Sequence, residues 1–356
     1  MNDLIRIGMD TSKSVFVLHG VNAAEQPVLR KKLRRRQMLE FFARLAPTRI
    51  GIEACGAAHH WGRELMALGH QVVLIAPQLV KPYVQRGKND AADAEAICEA
   101  MSRPRMRFVP VKTAEQQAAL MLVGVRDTLV RRRTQLSNTI RGYAAEFGLV
   151  SARGLDKIEP LLARIAADET LPIPAKELFA ILGEELGELE RKLDGLEKQL
   201  LAWHRHNEQS RRLVKIPSVG PIGAALLTMK VPDPHAFRCG RDFSAWLGLT
   251  PKDHSTAGKQ RLGAITRAGD EALRSVLVAG ATAVIQQVQR GRSRPSAWLA
   301  ELVRRKPPKL AAVALANKTA RIAWKLMVSG GHYDPRHATG RAKGCPSTAI
   351  PAMANA

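Results

Sequence analysis

The chain is poor in the features that would staple, export or anchor it. Its four cysteines (Cys55, Cys98, Cys239 and Cys345) are scattered through 356 residues with no CxxC pair. That argues against a disulfide framework and against a zinc ribbon. No run of about 18 apolar residues occurs, so no membrane span is expected. The opening Met1-Asn2-Asp3-Leu4 is not a basic-then-apolar export leader. A reduced, cytoplasmic protein is the expectation. Aromatic residues make up only 4%, so stacking on aromatic platforms is not expected as the main way of holding a ligand. Acids are also scarce: 32 Asp plus Glu against 55 Lys plus Arg, a net charge of +23. Such a balance favours a polyanionic partner, whose counterions are released on binding.

What is present begins with Ile5-Arg6-Ile7-Gly8-Met9-Asp10 and Val15-Phe16-Val17-Leu18. The alternation predicts two strands joined by a tight turn. Strands are expected at 4–9, 14–20, about 26–32, 49–54 and 71–75, with helices at 57–68 and about 90–101. Three strands in a meander followed by alternating helix and strand predict an α/β sheet with helices on its faces.

Asp10 ends the first strand and Glu53 ends the run Arg49-Ile50-Gly51-Ile52-Glu53. Asp90 and Asp93 lie three apart, which on a helix puts both on one face. Two strand-end acids plus such a pair could gather divalent metal. Mg²⁺ prefers carboxylate oxygens and keeps positions open for phosphate and water. Two ions about 3.5–4 Å apart can clamp the attacking and leaving oxygens of a phosphoryl transfer. The other reading is four solvated surface acids.

Beyond a Pro-broken basic linker (103–107), Thr113 with Gln116 predicts a capping box opening a helix to about 146. Arg131, Arg132 and Arg133 interrupt its apolar pattern and, like the basic run at 30–36, are candidates for nucleic-acid contact. From about 175 to 206, Phe179, Leu182, Leu186, Leu189, Leu193, Leu196, Leu200 and Trp203 form a heptad seam. It is expected to pack on the 113–146 helix, on another protomer, or on both. Gly220 and Gly223, in Ile216-Pro217-Ser218-Val219-Gly220-Pro221-Ile222-Gly223, suggest the hairpin of a helix-hairpin-helix module, whose backbone N–H groups approach a phosphate. After a short helix broken at Gly248 and Pro251 comes a basic loop with Ser255 and Thr256 flanked by His254, Lys259 and Arg261. A hydroxyl among cations could attack phosphorus or simply hydrogen-bond a phosphate. Helices are expected at about 269–289, 294–305 and 308–328. The stretch after Gly330 has no periodicity and is expected to be disordered.

Together, Asp10-Thr11-Ser12-Lys13, Glu53-Ala54, Lys88-Asn89-Asp90-Ala91-Ala92-Asp93-Ala94, Ile216-Pro217-Ser218-Val219-Gly220 and the segment His254 to Gly263 resemble the DEDD insertion-sequence transposases. These are relatives of the Piv invertases and are known as bridge-RNA-guided recombinases. The likeness runs from residue 4 to about 330. It implies an α/β RuvC-like N-terminal domain of the RNase H fold (1–110), a helical coiled-coil region (111–207), a mostly helical C-terminal transposase domain (208–330) and a tail (331–356). It implies a metal-binding tetrad at Asp10, Glu53, Asp90 and Asp93, and a nucleophilic serine at Ser255 with Thr256 as the alternative. Relatives often carry Ser-Ser-Gly-Gly-Lys where this chain has Ser-Thr-Ala-Gly-Lys. Lys13 and Lys88, within the acidic motifs, join Lys259 and Arg261 as expected nucleic-acid contacts.

The implied activity is Mg²⁺-dependent strand exchange on donor and target DNA through a phosphoserine. The resemblance further implies a structured guide RNA, a dimer or tetramer, no membrane partner and a bacterial cytoplasm. A RuvC-like structure-selective endonuclease using metal-activated water is the alternative enzyme, and a non-catalytic nucleic-acid binder the alternative of another class.

Overall fold

A computed structural model of the chain describes residues 4–84, 89–254, 256, 259 and 261–335. Two compact units emerge, Met1–Gln117 and Ala118–Ala356. No helix among the described residues is long and apolar enough to cross a membrane.

The first unit is built on a six-stranded sheet. Its strands are β1 (Arg6–Thr11), β2 (Val15–Val21), β3 (Pro27–Arg34), β4 (Arg49–Glu53), β5 (Gln71–Ile75) and β6 (Phe108–Val109), in the order β3-β2-β1-β4-β5-β6. β1, β4 and β5 run parallel, while β2, β3 and β6 are antiparallel to their neighbours. The five longer strands fall within two residues of expectation. β6 was not expected, because two residues carry no periodic signal.

Alternation sorts the sheet's two faces. Ile7, Met9, Ile50, Ile52 and Leu74 enter one core with Trp61 and Leu65 of α2 (Ala58–Ala67) and with Met38 and Phe42 of α1 (Met38–Ala43). The short α3 (Pro77–Val80) follows β5. The opposite face carries α4 (Asp90–Ala100), and glycine decides how closely it lies. Gly8 pairs with Gly51 across β1 and β4. A Cβ on Gly8 would stand 2.1 Å from the Ala94 carbonyl oxygen and 2.4 Å from the Cys98 nitrogen, and one on Gly51 would stand 2.8 Å from Met101 Sδ. The twin glycines leave a trough in which α4 rests directly on backbone.

The second unit is helical. α5 (Ala114–Glu146) opens at the expected capping box: Thr113 N–H donates to Gln116 Oε1 (3.0 Å), and Gln116 N–H donates to Thr113 Oγ1 (3.2 Å). Leu136, Ile140 and Ala144 of α5 share a core with Ile158, Leu161 and Ile165 of α6 (Ile158–Ala167) and with Phe179, Leu186 and Leu189 of α7 (Ile173–His206). The heptad seam is thus covered within the chain, and Arg126 of α5 pairs with Glu197 of α7 at 2.6 Å. A second core joins α8 (Glu208–Leu213), α9 (Pro221–Lys230), α10 (Gly240–Trp246), α11 (Glu271–Gln289), α12 (Ala297–Arg305) and α13 (Pro308–Ser329). Between α10 and α11 lies a hairpin of β7 (Pro251–Asp253) and β8 (Leu262–Ile265). It was expected as a loop, since its residues are almost all exposed and leave no buried stripe to read. Residues 336–356, expected to be disordered, lie outside the described residues.

Candidate active site

The chemistry-bearing residues of the first unit gather where β1 and β4 end. Gly8 and Asp10 share one face of β1, and Gly51 and Glu53 share one face of β4, by the period of two. Both are the α4 face. Asp10 and Glu53 each follow the last parallel register pair, Met9 with Ile52. The two strand ends are also linked beyond the acids, where Thr11 Oγ1 lies 3.3 Å from Cys55 Sγ.

α4 runs antiparallel to β1. Arg6 at the strand's start donates from Nε to the Cys98 carbonyl (3.1 Å), and Gly8 faces Ala94 and Cys98. The first turn of α4, with Asp90 and Asp93, therefore points toward the end of β1. Asn89 caps that turn, its Oδ1 accepting from Ala92 N–H at 2.8 Å. Carboxylates in a first turn also meet the positive end of the helix dipole.

The electrostatics report the convergence. The Asp10 carboxyl is pushed from 3.8 up to about 6, first by burial, then by the charges of Asp93, Asp90 and Glu53. Glu53 is also raised, by burial and then by Asp93. None of the four acids forms a salt bridge among the described residues. Asp10 thus feels carboxylates from two other elements, and among the described residues no salt bridge offsets them. As placed, no three His, Cys, Asp or Glu side chains among the described residues stand close enough to hold a metal ion. Like charges repel, and a shell of oxygens closes only around a cation. The donor set itself, all carboxylate oxygen and half-buried at Asp10, Glu53 and Asp93, suits a hard divalent ion.

In the second unit, His254 N–H donates to the Arg261 carbonyl (2.9 Å), continuing the β7–β8 ladder. Thr256 and Lys259 then close a reciprocal bridge. The basic segment is therefore a hairpin tip, with Thr256, Lys259 and Arg261 exposed. Ser255, the expected nucleophile, lies outside the described residues, as does Lys88.

The other expected contacts divide. Lys13 is exposed in the β1–β2 turn, and Arg131 and Arg132 are exposed on α5, while the Arg133 Nε is enclosed without a hydrogen-bond partner among the described residues. Gly220 is exposed at the start of α9. Gly223 needs correcting. It is buried, and a Cβ there would stand 3.0 Å from Val276 Cγ1 on α11. Its smallness serves helix packing rather than approach to a phosphate.

The basic run on β3 decorates a sheet edge, where charge also blocks pairing with a further strand. Lys31 lies 4.8 Å from the Phe41 ring centroid and Arg35 lies 5.1 Å from that of Trp61. What sequence reasoning missed was Gly8 with Gly51. The available signal was a glycine two residues before each strand-end acid.

Comparison with known proteins fits this arrangement. A DEDD transposase model of the IS110 type matches residues 7–147, spanning all four acids, and the model described as the IS116/IS110/IS902 transposase family matches residues 210–295. The y4pF/y4sB transposase of Sinorhizobium fredii is 66% identical over 96% of this chain and 88% of its own length. The chain belongs to this DEDD insertion-sequence transposase family. A family 20 transposase of Pseudomonas aeruginosa is 48% identical over 94% of this chain and 99% of its own length. The transposase for insertion sequence element IS1328 of Yersinia enterocolitica is 38% identical over 93% and 98%. The second family match covers the hairpin and its serine, so both acid and hydroxyl segments fall inside the family's own boundaries.

Proposed function

We propose that this transposase cleaves and rejoins DNA strands to move an insertion sequence, with an acidic site at Asp10, Glu53, Asp90 and Asp93 and with Ser255 as nucleophile. The observation that carries the reading is that Asp10, raised to about 6 first by burial and then by the charges of Asp93, Asp90 and Glu53, shares its surroundings with three other carboxylates that form no salt bridge among the described residues. The likeness of the first unit to RuvC-like nuclease domains fits its strand order and the acids at its strand ends.

A divalent cation, Mg²⁺ by the donor chemistry, would be held by these carboxylates and would neutralise charge on the scissile phosphate. The chain's own groups do the rest. Glu53 and Asp10 present oxygens from adjacent strand ends, and α4 delivers Asp93 and Asp90. In the second unit, the Ser255 hydroxyl would attack phosphorus. An Oγ–P bond forms as one P–O bond to deoxyribose breaks, the serine proton leaves, and the departing deoxyribose oxygen takes up a proton. Reversal with a different strand end rejoins DNA without net hydrolysis. Exposed Lys259 and Arg261 on the hairpin would offset the phosphate's developing charge. The net charge of +23 suits a nucleic-acid complex that includes a structured guide RNA, and we carry a homo-oligomer as part of the same reading.

The test is a denaturing gel of chain incubated with labelled element-end DNA, its RNA and Mg²⁺. Wild type should give a covalent protein–DNA adduct. Ser255→Ala should bind DNA but give none. An adduct that persists in Ser255→Ala and vanishes in Thr256→Ala moves the nucleophile by one residue. Free cut ends with no adduct in either protein would replace strand exchange by hydrolysis.

A further inference from the structure

The second unit holds a cavity of about 620 Å³ that the acidic site and the hairpin do not use. It is far larger than the sub-water voids left by ordinary packing and falls within the span of small-ligand sites, about 300–1,000 Å³. Ile216, Leu315 and Ile322 give it apolar walls, Trp298 and Tyr333 bring rings to it, and Gln287 adds an amide.

Two cations, Lys318 and Arg294, line it. The Lys318 Nζ sits 4.0 Å from the Trp298 ring centroid. Arg321 lies three residues further along α13, hence on a neighbouring strip of that helix. Arg241 of α10 is close enough that its charge, after burial, holds the Arg321 guanidinium below its ordinary value. Burial and then Arg321 do the same to Lys318. The Arg321 Nε is enclosed with no hydrogen-bond partner among the described residues. No carboxylate pairs with Lys318, Arg321 or Arg241 among the described residues. Arg321 thus repels both Lys318 and Arg241 with no paired carboxylate on any of the three among the described residues, a cost that an arriving anion removes.

We propose that this cavity receives one unstacked nucleotide of a single-stranded nucleic acid, its base beside Trp298 and Tyr333 and its phosphate on Lys318 and Arg294, with Arg321 and Arg241 adding to the positive field. An aromatic face accepts any base. Lys318 now covers the Trp298 ring, and its flexible stem lets the ammonium follow the phosphate as a base takes its place. Bases within an intact duplex are stacked and cannot enter. The proposal rests on the reading of the chain as one that acts on nucleic acid, and not on the acidic site.

The test uses the full-length Asp10→Asn chain in EDTA, so that no cleavage occurs. Fluorescence anisotropy compares labelled oligothymidylate, oligouridylate and an abasic deoxyribose-phosphate strand of equal length. At least one base-bearing strand should bind roughly 5- to 50-fold more tightly than the abasic one. The tighter of the two names the strand as DNA or RNA. Trp298→Leu should remove most of that advantage and leave abasic binding unchanged, while Trp298→Phe should keep it. Arg241→Gln with Arg321→Gln should weaken all three strands and flatten the salt dependence by about one to two phosphates' worth. Equal binding of base-bearing and abasic strands, or a full advantage in Trp298→Leu, overturns the proposal. Should Trp298→Leu fail to fold, photo-crosslinking of an iodouracil strand to the Asp10→Asn chain decides. A crosslink on Trp298 or Tyr333 supports the cavity, and crosslinks confined to other residues refute it. Absence of Mg²⁺-dependent cleavage by wild type would remove the catalytic reading and leave this measurement standing.

Discussion

Replacing Asp10 by Asn tests the acidic site without any DNA. In the folded chain its carboxyl sits near 6 rather than 3.8, so ionising Asp10 opposes folding. The gap corresponds to about 3 kcal/mol at about 1.36 kcal/mol per pH unit. Asp10 is only half-buried, and solvent screening reduces this to about 1–2 kcal/mol. The sign follows from linkage. Below 3.8 the group is protonated in both states and the penalty is absent; it grows as pH rises through the interval and is complete above about 6. Asn has nearly the same shape and never ionises. Asp10→Asn should therefore match wild type near pH 3.5 and be more stable by about 1–2 kcal/mol at pH 8. The assay is urea unfolding followed by circular dichroism across that range without divalent ions. Adding Mg²⁺ at pH 8 should stabilise wild type more than the variant, because the cation repays the carboxylate repulsion. A variant no more stable than wild type at pH 8, or equally stabilised at every pH, would refute the claim that four acids share one field.

Three further outcomes follow from the fold. Gly8→Ala would place a methyl 2.1 Å from the Ala94 carbonyl oxygen, so α4 must lift. The first unit should lose about 1–3 kcal/mol in denaturant melts, and any Mg²⁺-dependent stabilisation should fall with it. Asn317→Leu removes the Nδ2 donor to the Leu249 carbonyl (3.1 Å), which ties α13 to the segment leading into the β7–β8 hairpin. A loss of about 1–2 kcal/mol is expected, with hydrogen exchange rising in the hairpin; unchanged exchange would show that the tie does not hold it. His59 accepts from the Lys112 backbone N–H at 3.2 Å and is held at about 4, by burial and then by Lys112 and Arg63. This depressed histidine costs stability only as pH falls from 6.5 toward 4. His59→Gln should therefore shrink the acid-induced loss over that interval, as read by melting temperature against pH.

The five longer strands of the first unit were legible from their alternation or their short apolar runs, and the acids because a carboxylate ending an apolar run is out of place. Their convergence was not legible. It depends on the parallel register of β1 with β4, and on α4 lying in a trough that only the absence of two side chains creates. Gly223 misled for a related reason. A glycine three residues after another at a helix start has the same letters whether it faces phosphate or Val276, and only the partner helix decides. The β7–β8 hairpin hid because its exposed residues alternate in no property that a sequence shows. The heptad seam was plain, but a seam specifies an apolar partner and not which chain supplies it; here α5 and α6 do.

The trough also explains why this acidic site can exist on a marginal fold. Each acid alone could relax into water, and exposed Asp90 does. Asp10, Glu53 and Asp93 cannot relax fully, because a helix pressed onto Gly8 and Gly51 holds them at the ends of the central strands, half out of solvent. Larger residues at 8 and 51 would raise α4, restore water between the carboxylates and ease first the burial and then the repulsion that hold Asp10 near 6. The same change would remove the pull on a cation. The price is borne by the core on the far side of the sheet, where Ile7, Met9, Ile50 and Ile52 are fully buried. Burial of such side chains is worth about 1.5–3 kcal/mol each, enough to hold β1 and β4 in register against the charges at their ends. Conserving those four apolar residues while varying 8 and 51 should therefore change cation affinity far more than it changes whether the sheet forms.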